Sequence, residues 1–175
     1  MTKALVVIDV QKAMFENPAN LPFQGEAVVA RIAALIARAR EAGAPIFFVQ
    51  HDGGPGDDFA AGSPGFPFHD KLAPQPGDDV TVKTKSSAFH GTDLDAKLKR
   101  AGIDTLVMTG MQSEYCVTSA IRGAHERGYC LILPADAHST FDTKVAKARD
   151  IIAIVNDTSS GSFAQVIPTD AVEFP

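Results

Sequence analysis

Short apolar runs alternate with helix-length stretches along this chain, and this alternation constrains the fold more than any other feature. Four runs are almost wholly apolar and are bounded by Gly, Pro or Asp: residues 4–8, 45–49, 105–108 and 129–133. Such continuous apolar strands are typical of parallel sheets that helices cover on both faces. Two weaker runs, residues 80–82 and 163–167, complete a predicted sheet of six strands.

The stretches between these runs carry the periodicity of amphipathic helices. Over residues 28–39, apolar side chains recur every three or four positions, and Gly43 followed by Pro45 predicts the helix end. Further helices are predicted over residues 94–101, 117–127 and 143–156. This alternation predicts one domain, residues 1–175, folded as an α/β protein: a three-layer α/β/α sandwich with a mainly parallel sheet.

Composition limits the possible classes of function. The chain has 175 residues, 45% of them hydrophobic, and a formal net charge of −5. Its size allows a core without disulfides or a structural metal, and its mildly acidic charge gives no electrostatic basis for binding nucleic acid or a membrane surface. The N-terminal apolar run is too short for a signal peptide, and two cysteines do not make a secreted disulfide scaffold. We therefore expect a cytoplasmic protein that binds a small molecule.

Residues 53–77 interrupt the alternation of strands and helices. This segment is crowded with Gly, Pro, Asp and Phe and has neither helical nor strand periodicity. Loops of this length within a compact domain are usually functional. We expect the segment to flank the ligand site and to determine specificity.

Three reactive residues follow predicted strands, where ligands bind in open α/β sheets. Asp9 ends the run 4–8, Lys83 follows the weak run 80–82, and Cys116 lies beyond the run 105–108. Ser113 is predicted to cap the next helix and so to place Cys116 in its first turn. The helix N-terminus and a nearby ammonium would then lower the pKa of the thiol.

The residues alone leave several alternatives open. Cys116 is as compatible with a small buried apolar residue as with a reactive thiol. Lys83 and Lys85 are each compatible with an ordinary surface lysine. Cys130 lies inside an apolar run and is predicted to be inert packing. Five histidines raise a metal hypothesis, but no pair has the spacing of a familiar zinc site, and no Gly-rich phosphate-binding motif follows a strand. We expect no metal and no other cofactor.

Taken together and in order, four segments resemble the isochorismatase-like superfamily of cysteine hydrolases, which includes nicotinamidases, N-carbamoylsarcosine amidase and ureidoacrylate amidohydrolases. They are residues 4–11, 83–89 with 91–94, 110–117 and 136–139. The resemblance implies a Rossmann-like topology and a catalytic triad of Asp9, Lys83 and Cys116. Lys83 is selected over Lys85 because it lies six positions before Phe89 of the Ser-Ala-Phe element.

The resemblance also implies a mechanism and an assembly. A non-proline cis peptide between Met111 and Gln112 would aim the backbone N–H groups of Gln112 and Cys116 at the substrate oxygen. Cys116 would attack a carbonyl carbon to form a thioester, Asp9 would shuttle the proton, and Lys83 would support both. The protein would act as a homo-oligomer, a dimer or a tetramer.

Cys116 narrows the expected reaction, because true isochorismatases cleave a vinyl ether and lack the nucleophilic cysteine. We expect a hydrolase of a C–N bond in a small amide, carbamoyl compound or lactam. The chain also lacks the D-x-H-x-x-H metal motif common in nicotinamidases, which argues against a bound metal and against nicotinamide as the substrate. Substrate contacts are expected at four residues that adjoin the triad or the loop: Gln11, Phe15, His51 and Tyr115.

Two other classes of function remain. One is a thiol-based redox or detoxification protein that uses Cys116 together with a resolving thiol. The other is a non-catalytic, flavodoxin-like binding module, in which the side chains of Asp9, Lys83 and Cys116 would not converge.

Overall fold

One parallel sheet organises the chain in the computed structural model, which describes residues 2–174. Its strands are β1 (Lys3–Ile8), β2 (Ile46–His51), β3 (Asp79–Lys83), β4 (Thr105–Met111), β5 (Cys130–Pro134), β6 (His138–Ser139) and β7 (Gln165–Ile167). Six of them lie in the order β3-β2-β1-β4-β5-β7, and β6 pairs with the end of β4. Every strand pair is parallel. The predicted six-stranded sheet is confirmed, with the two-residue β6 as an addition.

Helices cover both faces of this sheet, as predicted. They are α1 (Gly25–Glu41), α2 (Leu94–Arg100), α3 (Thr118–His125) and α4 (Ala148–Ser162). Alternate β1 residues divide between two cores: Val6 packs with residues of α2, α3 and α4, whereas Val7 packs with residues of α1. The central strand β4 is buried at every position, which explains its continuous apolar sequence.

The boundaries of α4 and β7 differ from the prediction. Helix α4 begins at Ala148 rather than at residue 143, because the Asp142 carboxylate accepts the Ala148 N–H at 2.9 Å and caps the helix. The helix also continues past residue 156 to Ser162. Because Phe163 still donates its N–H to the Ser159 carbonyl at the helix end, β7 begins only at Gln165.

The prediction that Cys130 is inert packing is wrong. Cys130 is the first residue of β5 and is exposed. Strand β7 pairs with β5 only from Ile132 onward, so no strand of the described residues flanks that side of Cys130. Tyr129 and Leu131, on either side of Cys130, are both buried.

The segment between β2 and β3 is a long loop, as predicted, with one 3-10 turn at Asp70–Leu72. It folds back over the carboxyl end of β1: the Lys12 N–H donates to the Pro67 carbonyl at 2.9 Å, and Gln11 pairs with Phe68 in an isolated bridge. The loop thus lies beside the edge of the sheet where the candidate residues are found. Among the residues described, none of the helices is long and apolar enough to cross a membrane.

Candidate active site

Asp9, Lys83 and Cys116 converge at the carboxyl edge of the sheet. The Lys83 ammonium lies 2.7 Å from Asp9 Oδ2 and 3.3 Å from Cys116 Sγ. Asp9 and Lys83 are each 1% exposed. Strand β2 separates β3 from β1, so the Lys83 side chain must extend past His51, its partner in the β2–β3 register, to reach Asp9. The arrangement matches the triad that the family resemblance implies.

The Lys83 ammonium has further partners that hold it between the two acidic groups. It donates to the carbonyl of Lys85 at 3.0 Å and lies 3.5 Å from His51 Nδ1. Lys85 itself is exposed and offers only this carbonyl to the site. The structure therefore favours Lys83 over Lys85 as the lysine of the cluster.

Asp9 lies at a sharp turn after β1, with a positive φ of 51° that is unusual for a residue other than glycine. No backbone N–H of the described residues donates to its carboxylate; the donors that face it are the Lys83 ammonium and the Cys116 thiol. Burial raises the pKa of Asp9 above its ordinary value, against the opposing effect of Lys83. A carboxylate without backbone donors is able to take up and return a proton.

The pKa of Cys116 differs from the expected direction. Burial and the neighbouring Asp9 carboxylate raise the pKa of the thiol to about 12, although Lys83 opposes both effects. The prediction of a lowered pKa is wrong for the resting site, because desolvation and the Asp9 charge together outweigh the effect of the Lys83 ammonium. A thiolate forms here only if the thiol proton moves to a neighbouring base, and the neighbouring Asp9 carboxylate is the candidate.

The turn that carries Cys116 is a single π-helical turn, Ser113–Val117, which precedes α3. The peptide bond between Met111 and Gln112 is cis, as the family resemblance implies. The Val117 N–H donates to the Gln112 carbonyl at 3.1 Å and closes the turn. Both Gln112 and Cys116 consequently line the same cavity.

Gly110 allows this turn to lie against β1. Its φ is 122°, and a Cβ built on it would lie 2.0 Å from the carbonyl oxygen of Ile8. Any larger residue would push the end of β4 away from β1. The glycine therefore maintains the spacing between the strand ends that carry Asp9 and Cys116.

Ser113 does not cap the helix as predicted; it belongs to a buried network beneath the turn. The Asn156 side chain donates to the Ala135 carbonyl at 3.0 Å, so its oxygen faces His138 Nε2 at 2.9 Å. Nε2 must then carry the proton, and His138 Nδ1 accepts the Ser113 hydroxyl at 2.7 Å. Burial lowers the pKa of His138 and keeps it neutral. Residues 136–139 contribute to the family resemblance, but no sequence signal assigned this role to His138.

A cavity of about 400 Å³ opens beside the cluster, a volume suited to a small molecule. Asp9 and Cys116 line it, as do two of the predicted substrate contacts, His51 and Tyr115. The long loop contributes Asp57 and Phe59, and Ser86 and Phe141 complete much of the remaining wall. The pKa of His51 is lowered by burial and by Lys83, which keeps the imidazole neutral near pH 7.

The other two predicted substrate contacts lie outside this wall. Gln11 is fully buried: its amide nitrogen donates to the carbonyls of His51 and Phe66, and its oxygen accepts the His51 N–H at 2.8 Å. Gln11 thus fixes β2 and the loop. Phe15 packs edge-on against His69, with ring centroids 4.8 Å apart, and does not line the cavity.

The site offers no metal centre in the described part of the chain, since residues 2–174 hold no group of three His, Cys, Asp or Glu side chains arranged to bind a metal ion. The chemistry that the site can support is that of a thiol, a carboxylate and an ammonium in mutual contact.

Known proteins resemble this sequence over most of its length. The isochorismatase domain family matches residues 3–170. Streptothricin hydrolase from Streptomyces noursei is 38% identical over 98% of the chain, which spans 61% of that protein. The uncharacterized isochorismatase family protein YddQ of Bacillus subtilis is 32% identical over 98% of both chains. Ureidoacrylate amidohydrolase RutB of Methylobacterium radiotolerans is 31% identical over 97% of this chain and 82% of its own.

Solved structures agree with these sequence relatives. An isochorismatase from Pseudomonas putida has a TM-score of 0.91 at 31% identity and covers 97% of this chain and 89% of its own. A cysteine hydrolase from Pseudomonas syringae has a TM-score of 0.89 at 26% identity, with 96% and 89% covered. The chain therefore belongs to the isochorismatase family.

Proposed function

We propose that this protein is a cysteine-dependent hydrolase that cleaves a C–N bond of a small amide, carbamoyl compound or lactam through a thioester on Cys116. The observation that carries the proposal is the contact of Cys116, Lys83 and Asp9 at the wall of one cavity. Relatives named streptothricin hydrolase and ureidoacrylate amidohydrolase support a C–N bond as the target.

In the first half of the reaction, the Cys116 thiol transfers its proton to Asp9, and the sulfur attacks the substrate carbonyl carbon. The C=O bond becomes a C–O⁻ bond, and the backbone N–H groups of Gln112 and Cys116 donate hydrogen bonds to that oxygen. Asp9 then gives its proton to the leaving nitrogen as the C–N bond breaks. The products are a thioester on Cys116 and an amine or ammonia; the amine of a lactam stays attached to the acyl group.

In the second half, water hydrolyses the thioester. Asp9 accepts a proton from the water as the water oxygen attacks the acyl carbon. A second tetrahedral oxyanion then forms where the first one was bound by the backbone N–H groups. The C–S bond breaks, and the sulfur takes the proton back from Asp9. The carboxylic or carbamic acid leaves, and the enzyme returns to its starting state.

Lys83 makes this proton transfer feasible in a buried site. Its ammonium lies 2.7 Å from the Asp9 carboxylate and 3.3 Å from the sulfur, so it faces whichever of the two carries the negative charge. The local charge is zero both before and after the thiol proton moves. This explains how a thiol with a pKa of about 12 can still act as a nucleophile at neutral pH.

The two competing functions have less support. A redox mechanism within one chain needs a resolving thiol, but Cys130 is level with Thr105 at the start of β4, whereas Cys116 follows the end of that strand. A strand of this length separates its ends by about 20 Å. A binding module without catalysis leaves the convergence of Asp9, Lys83 and Cys116 unexplained.

The resemblance also supports a homo-oligomer, a dimer or a tetramer, in the cytoplasm. Light scattering during gel filtration measures the assembly: a mass of two or four chains is expected, and a single-chain mass at micromolar concentration would contradict it.

A panel of amides, carbamoyl compounds and lactams, including ureidoacrylate and streptothricin, tests the reaction. Wild type is expected to hydrolyse at least one of them, and Cys116→Ala none. Cys130→Ala is the matched control, because it removes the other cysteine, which is exposed and outside the site, and should keep full activity. Full turnover by Cys116→Ala would disprove the nucleophile.

A further inference from the structure

Asp57 places a carboxylate in the wall of the candidate active-site cavity. Its position is fixed locally, because Asp57 Oδ1 accepts the N–H of Phe59 at 2.8 Å and the Ala60 N–H donates to the Asp57 carbonyl at 2.9 Å. Gly53 makes room for it: a Cβ at Gly53 would lie 2.3 Å from the Asp57 carboxyl group. The loop sequence thus holds this side chain in place.

The charge of Asp57 has no counterpart in the cavity. Asp57 forms no ion pair within residues 2–174. The other carboxylate of the wall, Asp9, is neutralised by Lys83, and His51 is held neutral. The loop supplies no compensating cation, because neither lysine nor arginine occurs between Gln50 and Lys71.

Aromatic rings of the same wall favour the same kind of ligand. Phe59, Phe141 and Tyr115 line the cavity with Asp57, and Tyr115 is 56% exposed. Aromatic faces attract cations through their quadrupole, and an unpaired carboxylate beside them adds a direct charge. The carboxylate repels an anion, and the aromatic faces do not attract one.

We propose that Asp57 is a specificity-determining residue that selects substrates with an ammonium or guanidinium group near the amide that is cleaved. This inference rests on the proposed hydrolase and names its substrate class. An anionic amide such as ureidoacrylate is then a poor substrate.

Three primary amides of equal chain length test the charge preference: 5-aminopentanamide, hexanamide and adipamate, which end in an ammonium, a methyl and a carboxylate group. Hydrolysis is measured with the wild type, and binding is measured calorimetrically in the Cys116→Ala background, where no ligand is consumed. We expect the cation to bind about fivefold more tightly than the neutral amide, and the anion more weakly than both, as suits one exposed charge.

Asp57→Asn removes the charge but keeps the oxygen that accepts the Phe59 N–H, so the loop should stay folded. It is expected to abolish the cation preference, raising KM for the cation about fivefold and changing that for the neutral amide less than twofold. Asp58→Asn is the matched control, because this exposed neighbour does not line the cavity and should leave the preference intact.

The outcomes separate this inference from the proposed function. If none of the three amides is hydrolysed, the reaction fails for such amides, but binding to Cys116→Ala still measures the charge preference. Equal affinities for the three, no measurable binding of any, or an unchanged preference in Asp57→Asn would overturn the inference.

Discussion

Replacing Lys83 by Met should abolish activity and destabilise the protein strongly. Met keeps the apolar stem of the side chain but removes the ammonium that contacts Asp9, Cys116 and the Lys85 carbonyl. The Asp9 carboxylate would remain 1% exposed without a charged partner. Breaking one side of a buried ion pair is costly because it leaves an uncompensated charge in the interior.

The size of the effect follows from the geometry. At 2.7 Å and an effective dielectric constant of roughly 20, the attraction between Lys83 and Asp9 is about 6 kcal/mol. Part of this is recovered in the variant, because burial favours protonation of the lone carboxylate. We expect a loss of about 3–5 kcal/mol in the free energy of unfolding, or a fall in Tm on the order of 10 °C for a chain of this length.

Urea denaturation of a double-mutant cycle tests this reasoning. Asp9→Asn combined with Lys83→Met removes both charges, and Asn tolerates the left-handed backbone at this position. The double variant is expected to regain at least half of the stability lost in Lys83→Met, while both variants remain inactive. A double variant as unstable as Lys83→Met, or an active Lys83→Met, would refute the argument.

Three further predictions follow from the same structure. The folded-state pKa of Cys116 is raised from 9.0 to about 12, so its contribution to stability is complete below pH 9 and is lost as the pH rises from 9 to 12. Between pH 7.5 and 10.5, the free energy of unfolding measured in urea should fall by about 2 kcal/mol more in wild type than in Cys116→Ala, and equal falls would contradict the raised pKa. Ser113→Ala leaves the buried Nδ1 of His138 without its donor and should lower the free energy of unfolding by about 1–3 kcal/mol, with a fall in kcat larger than the change in KM. Unchanged stability and kinetics would show that the network does not support the turn. Gly110→Ala places a Cβ against the backbone of β1 and should lower the free energy of unfolding by well over the roughly 1–2 kcal/mol expected for Gly91→Ala, where φ is also positive but nothing lies within 4 Å. Similar melting temperatures of the two variants would argue against the close approach of the strands.

The central part of the fold could be predicted from sequence because burial and apolar sequence coincide there. Strands β1 and β4 are covered on both faces, so their composition alone marks them. The start of α4 could not be predicted from periodicity, because a contact between Asp142 and Ala148 fixes it. The exposure of Cys130 depends on where the neighbouring strand begins, which no local pattern reveals.

The convergence of the three reactive side chains was predictable from residue identity and order along the chain. Asp9 follows β1, Lys83 ends β3 and Cys116 lies beyond β4, and the topology brings these strand ends to one edge of the sheet. The thiol pKa was not predictable, since it depends on desolvation in the folded site. Gln11 and Asp57 illustrate the same limit: the first fixes the loop, the second lines the cavity, and only tertiary structure distinguishes these roles.

Rapid-quench mass spectrometry of the intact protein tests whether an acyl-enzyme forms on Cys116. With the best substrate of the panel, wild type mixed and acid-quenched during turnover should gain the mass of the substrate minus its released amine or ammonia, or the whole mass of the substrate if this is a lactam, and peptide mapping should place the adduct on Cys116. Hydroxylamine should remove the adduct. Steady hydrolysis with no adduct at any quench time, or an adduct on another residue, would contradict the account.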